Sequence, residues 1–146
     1  MLPSSHIATG VLLFVIFQLL GVNPIFAVFA IIGAVLPDVD YVTYKNHRTR
    51  TTHAPLLWFI ALTPLSIVYQ PFIFLEIGVF VHLLLDTLDW GIMWLHPYRT
   101  QLYGGIMRKK NIRSNFTRHY LAHSGFVALE SVFGVAAILL SYLVLL

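Results

Sequence analysis

Residues 71–95 read PFIFLEIGVFVHLLLDTLDWGIMWL. A helix needs about 20 apolar residues to cross a hydrocarbon core of about 30 Å, and this stretch is long and apolar enough to do so. It nevertheless carries Glu76, His82, Asp86 and Asp89. Ionisable side chains at membrane depth are costly and turn towards the protein interior, where they mark functional sites. On one continuous helix, His82, Asp86, Asp89 and His96 fall within a stripe about 80° wide. One segment therefore predicts both a membrane-spanning fold and the place to look for chemistry.

Four more apolar stretches extend this pattern. They cover residues 6–22, 24–36, 54–69 (with Pro64 as an expected kink) and 125–146. The first opens without a basic region or a small-residue cleavage site, so it is expected to be retained rather than removed as a signal peptide. The second is short for a full crossing and ends at Pro37-Asp38-Val39-Asp40, a polar end expected to sit in a protein-lined cavity. The chain of 146 residues is 58% hydrophobic and 10% charged, whereas soluble domains are about 45–50% apolar and about 25% charged. This excludes a disordered chain and argues strongly against a soluble globule. The expectation is one all-α domain over residues 1–146, a polytopic membrane helix bundle of about five transmembrane helices.

Charge sets the orientation, because short cytoplasmic loops collect Lys and Arg. All nine Lys and Arg lie in two segments, residues 45–50 and 99–118, which five crossings place on one side together with the N-terminus. The opposite loops hold none. The N-terminus is therefore expected to be cytoplasmic in a multi-pass protein of the inner or plasma membrane, and the sequon at Asn115-Phe116-Thr117 to stay unglycosylated.

The same orientation gathers the polar residues. His6 opens the first span, Asp38 and Asp40 close the second, His53 opens the third, and His82, Asp86 and Asp89 occupy the cytoplasmic half of the fourth. With no cysteine in the chain, neither a disulfide nor a thiolate zinc site is available, so any metal must be held by His, Asp or Glu. Four aspartates in a low-dielectric site require compensating charge, which two divalent ions or shared protons would supply. Glu76 and Glu130 fall outside this convergence. His47 and Arg48 sit in the basic loop, and His119 with His123 has no carboxylate near it in sequence. Trp58, Trp90 and Trp94 read as interface or packing aromatics.

Leu36-Pro37-Asp38-Val39-Asp40, then His47-Arg48 with Thr52-His53, then His82-x-x-x-Asp86, behind a histidine at the start of the first span, resemble the YdjM-like membrane-bound metal-dependent hydrolases. The likeness covers residues 6–97. That family is similar in motif order to the helical zinc-dependent phospholipase C and single-strand nuclease superfamily. The resemblance implies a metal-dependent hydrolase acting on an ester, in the first place a phosphoester, and a site facing one leaflet points to a lipid or lipid-linked substrate. On that resemblance His6, Asp38, His53, His82 and Asp86 are metal-site candidates, with Asp38 or Asp40 as a ligand or general base; Asp89 joins the metal candidates from the helical stripe, standing where the family more usually has a threonine. Arg48 would grip a substrate oxyanion, and the metal would be a divalent ion, zinc first and manganese second.

Two other classes share some of these features. A proton- or ion-coupled transporter would use intramembrane His and Asp, but would be expected to line both membrane halves with polar groups. A membrane-tethered protein acting on nucleic acid would explain Arg108-Lys109-Lys110, but that tract lacks interleaved aromatics, so nucleic acid is not the favoured partner. The orientation is directly testable. Cysteine labelling or reporter fusions should place residues 108–113 in the cytoplasm and Leu146 outside, and external labelling of 108–113 would reverse the assignment.

Overall fold

A computed structural model describes residues 3–40, 51–89, 91–106 and 123–145, with the side chains of 144 and 145 left aside. The described residues form five α-helices: α1 (Pro3–Leu19), α2 (Pro24–Val35), α3 (Pro55–Val68), α4 (Pro71–Asp89) and α5 (Ser124–Leu145). Strands are absent among them apart from a single antiparallel bridge between Ile92 and Tyr103. The fold is all-α, as the apolar pattern predicts. Only α4 and α5 are long and apolar enough by themselves to cross a membrane, while α1, α2 and α3 are shorter apolar helices.

Helix starts follow local chemistry. Pro occupies the first turn of α2 and α3, where its missing N–H costs nothing, and the Asn23 side chain accepts from the Ile25 N–H at 2.9 Å to cap α2. After α2 the chain tightens into a single 3-10 turn, Leu36–Asp38, around Pro37. That turn delivers Asp38 and Asp40 to the interior, 7% and 0% exposed.

The expected fourth span reaches residue 95, but α4 ends at Asp89. Gly91 adopts φ 84°, a left-handed conformation that stops a helix, and its N–H returns to the Asp86 carbonyl at 3.0 Å. The carbonyls of the last turn are then taken by a returning loop: Gly105 N–H donates to Thr87 O at 2.9 Å and Ile106 N–H to Leu88 O at 3.1 Å. His96 therefore lies beyond the helix and leaves the expected stripe.

α2 and α4 pack through small residues. Ala27, Ala30, Gly33 and Ala34 of α2 face Leu75, Gly78 and Val79 of α4. A Cβ built on Gly33 would strike the Leu75 carbonyl oxygen, and one on Gly78 the Ala30 carbonyl oxygen. α1 approaches α2 in the same way, since a Cβ on Gly10 would lie 3.0 Å from both Ala34 Cβ and Ile31 Cα. Where no hydrophobic force separates helix from surroundings, such close backbone approach is what holds helices together. The outward faces are apolar: Leu20, Ile67, Val68 and Ile138 are each more than 70% exposed, while Asp38, Asp40, Asp86, Asp89, His6, His53 and His82 are buried. This is the reverse of a soluble domain.

Gly33→Ala should lower the melting temperature in detergent, corresponding to about 1–3 kcal/mol for a clash that only backbone movement relieves. Gly134→Ala, inside α5 with nothing within 4 Å, should leave it unchanged or raise it slightly, because alanine favours a helix interior over glycine. Equal melting temperatures for the two variants would contradict the packing described.

Candidate metal centre

Four of the predicted residues meet in one place. Asp38, His53, His82 and Asp86 are all buried, and each offers a ligand atom within 4.8 Å of the others. They come from the 3-10 turn after α2, the turn before α3, and the C-terminal half of α4. His53 Nε2 lies 3.4 Å from Asp38 Oδ1 and 3.3 Å from Asp86 Oδ2. His82 Nε2 lies 3.6 Å from each of the same two oxygens.

The protein fixes which imidazole nitrogen faces this point. His82 Nδ1 contacts the Ala34 carbonyl at 2.7 Å. A carbonyl only accepts, so Nδ1 carries the hydrogen and Nε2 is left as the ligand atom. Thr52 does the same for His53. Its hydroxyl donates to Asp40 Oδ2 at 2.6 Å, so it must accept from His53 Nδ1 at 3.0 Å, again leaving Nε2 towards the cluster. Pinning the second ring nitrogen to a carbonyl or carboxylate is how metal-binding histidines are oriented. The Trp58 indole N–H donates to the Thr52 carbonyl at 2.7 Å and steadies this turn, which gives that tryptophan a structural task.

The remaining candidates fall around this core. Asp40 lies 3.5 Å from His53 Nδ1, on the side of the ring away from the cluster, so its place is to orient His53. His6 stacks on His82 with ring centroids 3.7 Å apart, and its Nε2 is 3.3 Å from Asp86 Oδ1. Its Nδ1 is buried without a hydrogen-bond partner among the described residues. Asp86 thus presents one oxygen to His6 and the other to His53 and His82. Asp89 is fully buried but outside the four-residue group. Arg48, with His47, His119, Trp90 and the basic stretch 107–118, lies outside the described residues. His123 packs on Phe126 at 4.9 Å between ring centroids.

Electrostatics fit a cation. Burial pushes the His53 imidazole down, yet Asp38, Asp86 and Asp40 outweigh it and hold its pKa above the ordinary 6.5. The carboxylates therefore make a field that favours positive charge even in a dry site. Two imidazole nitrogens and two carboxylate oxygens form a donor set suited to zinc and also acceptable to manganese. This group could hold a metal ion.

The comparisons place the chain at the level of family. The profile of the family described as YdjM inner membrane protein matches residues 1–146. The chain belongs to that family. No curated protein and no solved structure gave a match. Membership in an inner membrane family accords with the apolar exterior and with two helices long enough to span.

Two acids absent from the expected cluster have clear partners in this YdjM-family fold. Glu76 accepts from Thr63 at 2.6 Å and Ser66 at 2.9 Å, tying α4 to α3. Glu130 accepts from Ser5 at 2.6 Å, next to His6. The i,i+3 pair Thr63 and Ser66 was the only trace of the first tie in the sequence, and nothing in it signalled the second.

Asp86→Asn should abolish high-affinity zinc binding in detergent-purified protein, whereas Asp40→Asn should weaken it by about 10–100-fold, as loss of an orienting partner does. Competition against a chromophoric chelator measures both, and equal losses would remove the distinction between the two aspartates.

Proposed function

We propose that this chain is a multi-pass membrane hydrolase, its N-terminus and active site facing the cytoplasm, that cleaves a phosphoester of a lipid or lipid-linked substrate with a divalent metal, zinc before manganese. The observation that carries the reading is the convergence of His53 Nε2, His82 Nε2 and the Asp38 and Asp86 carboxylates, with both Nδ1 atoms held elsewhere. The family match supports the membrane setting, and phosphoester chemistry rests on the resemblance in motif order to zinc-dependent phosphodiesterases.

When bound there, a divalent ion lowers the pKa of water towards about 7 and neutralises charge developing on the phosphoryl oxygens. His53, His82 and Asp86 would hold it, with Asp38 beside them as a fourth ligand or as the base. Asp38 presents Oδ1 to the same point and is better placed than Asp40 to take a proton from an attacking water, because Asp40 lies behind His53. Asp40 and Thr52 keep the His53 ring from turning. Arg48, whose guanidinium can donate two parallel hydrogen bonds, is the residue proposed to steady a substrate oxyanion. The basic residues of 99–118 draw anionic headgroups towards the site at about 1 kcal/mol each.

All the ligand-bearing ends, namely the start of α1, the end of α2, the start of α3 and the end of α4, lie together. A site at one end of a membrane bundle lies nearer one leaflet than the other, which supports a membrane-bound substrate. The transporter alternative loses its best outer-half acid, because Glu76 is occupied as an interhelical tie.

Purified protein with added zinc or manganese should hydrolyse at least one member of a panel of phosphomonoesters, phosphodiesters and phospholipids. Asp86→Asn should lower turnover by at least 100-fold, and Glu76→Gln should leave it within a few-fold. Full turnover by Asp86→Asn would overturn the site assignment.

A further inference from the structure

We propose that Glu130 is a positioning residue for the metal centre: from α5 it fixes the first turn of α1 through Ser5, and thereby sets the His6 ring against Asp86. This rests on the metal reading above. Ser5 Oγ donates to Glu130 Oε1 at 2.6 Å and Ser4 Oγ approaches Oε2 at 3.4 Å. Ser5 is 1% exposed, and His6, the next residue, is equally buried. The His6 ring lies flat on His82, and its Nε2 faces Asp86 Oδ1. The other Asp86 oxygen faces the cluster. A continuous path therefore runs from Glu130 through Ser5, His6 and Asp86 to the ligand atoms.

Three features make this more than a tie between helices. Glu130 is the one charged residue in α5, a helix otherwise apolar with outward residues such as Val132 and Ile138 exposed. An acid at membrane depth is kept only where it does something, and here it meets the N-terminus of α1, whose helix dipole favours a negative charge. α1 is also fixed farther along, where Gly10 presses on Ala34 and Ile31. Contact at Ser5 supplies the second fixed point, and two points set the rotation of the helix about its axis. His6 reaches Asp86 only at the correct rotation.

The test measures zinc affinity of the full chain in detergent, by chelator competition, for wild type, Glu130→Ala, Glu130→Gln, Ser5→Ala, His6→Ala and the double variant Glu130→Ala/His6→Ala. Far-UV circular dichroism reports folding. Glu130→Ala and Ser5→Ala should each weaken zinc about tenfold, in the range seen when outer-shell partners are lost. Glu130→Gln, whose amide oxygen still accepts from Ser5, should lose less. In the His6→Ala background, Glu130→Ala should add less than twofold, because its effect passes through His6. Wild-type affinity in folded Glu130→Ala and Ser5→Ala, or an undiminished tenfold loss on top of His6→Ala, overturns the proposal while leaving the metal site standing. A wild type that binds no zinc overturns the metal reading and this inference with it.

Discussion

The near-contact of the α2 and α4 backbones is the constraint on which the rest of the molecule depends. Gly33 and Gly78 each leave room for a carbonyl of the opposite helix, and any side chain there would push the helices apart. The separation they permit brings the Ala34 carbonyl to 2.7 Å from His82 Nδ1, which fixes the imidazole tautomer. It also carries the 3-10 turn at the end of α2 close enough to α4 for Asp38 to stand opposite Asp86. Packing by small residues is thus a condition for the chemistry and not merely for stability.

Orientation of the second imidazole comes from a different source. His53 lies on a turn, where no helix lattice restrains it, and its ring is held by a relay of Asp40, Thr52 and the Trp58 indole. A helix-borne histidine is steadied by a backbone carbonyl, and a turn-borne one by side chains. Both solutions deliver Nε2 to the same small volume between two carboxylates. Removing that much negative charge from water is tolerable only where positive charge enters with it.

How much of this was legible in the sequence depends on the range of the interaction. Helix periodicity places His82 and Asp86 on one face, because a turn of helix is a local property, and it fails at His96 because Gly91 at positive φ ends α4. Apolar length located all five helices to within a few residues at most boundaries. The exception was the end of α4, set by a returning loop whose N–H groups satisfy the last carbonyls. Asp38 and Asp40 read as equivalent in Pro-Asp-Val-Asp. Only the Thr52 hydroxyl, supplied from twelve residues on, shows that one faces the cluster and the other the back of a histidine. The link between Ser5 and Glu130 spans 125 positions, and no local pattern encodes it.

The order of ligands along the chain bears on biogenesis. The four grouped residues end at Asp86, while α5 begins only at Ser124 and packs chiefly on α1. During synthesis, every donor atom has left the ribosome before the helix that closes over α1 is made. The four residues that could hold a metal ion can therefore come together in the nascent chain before α5 covers α1. Of the five described helices, the first made, α1, is then braced by the last of them, α5.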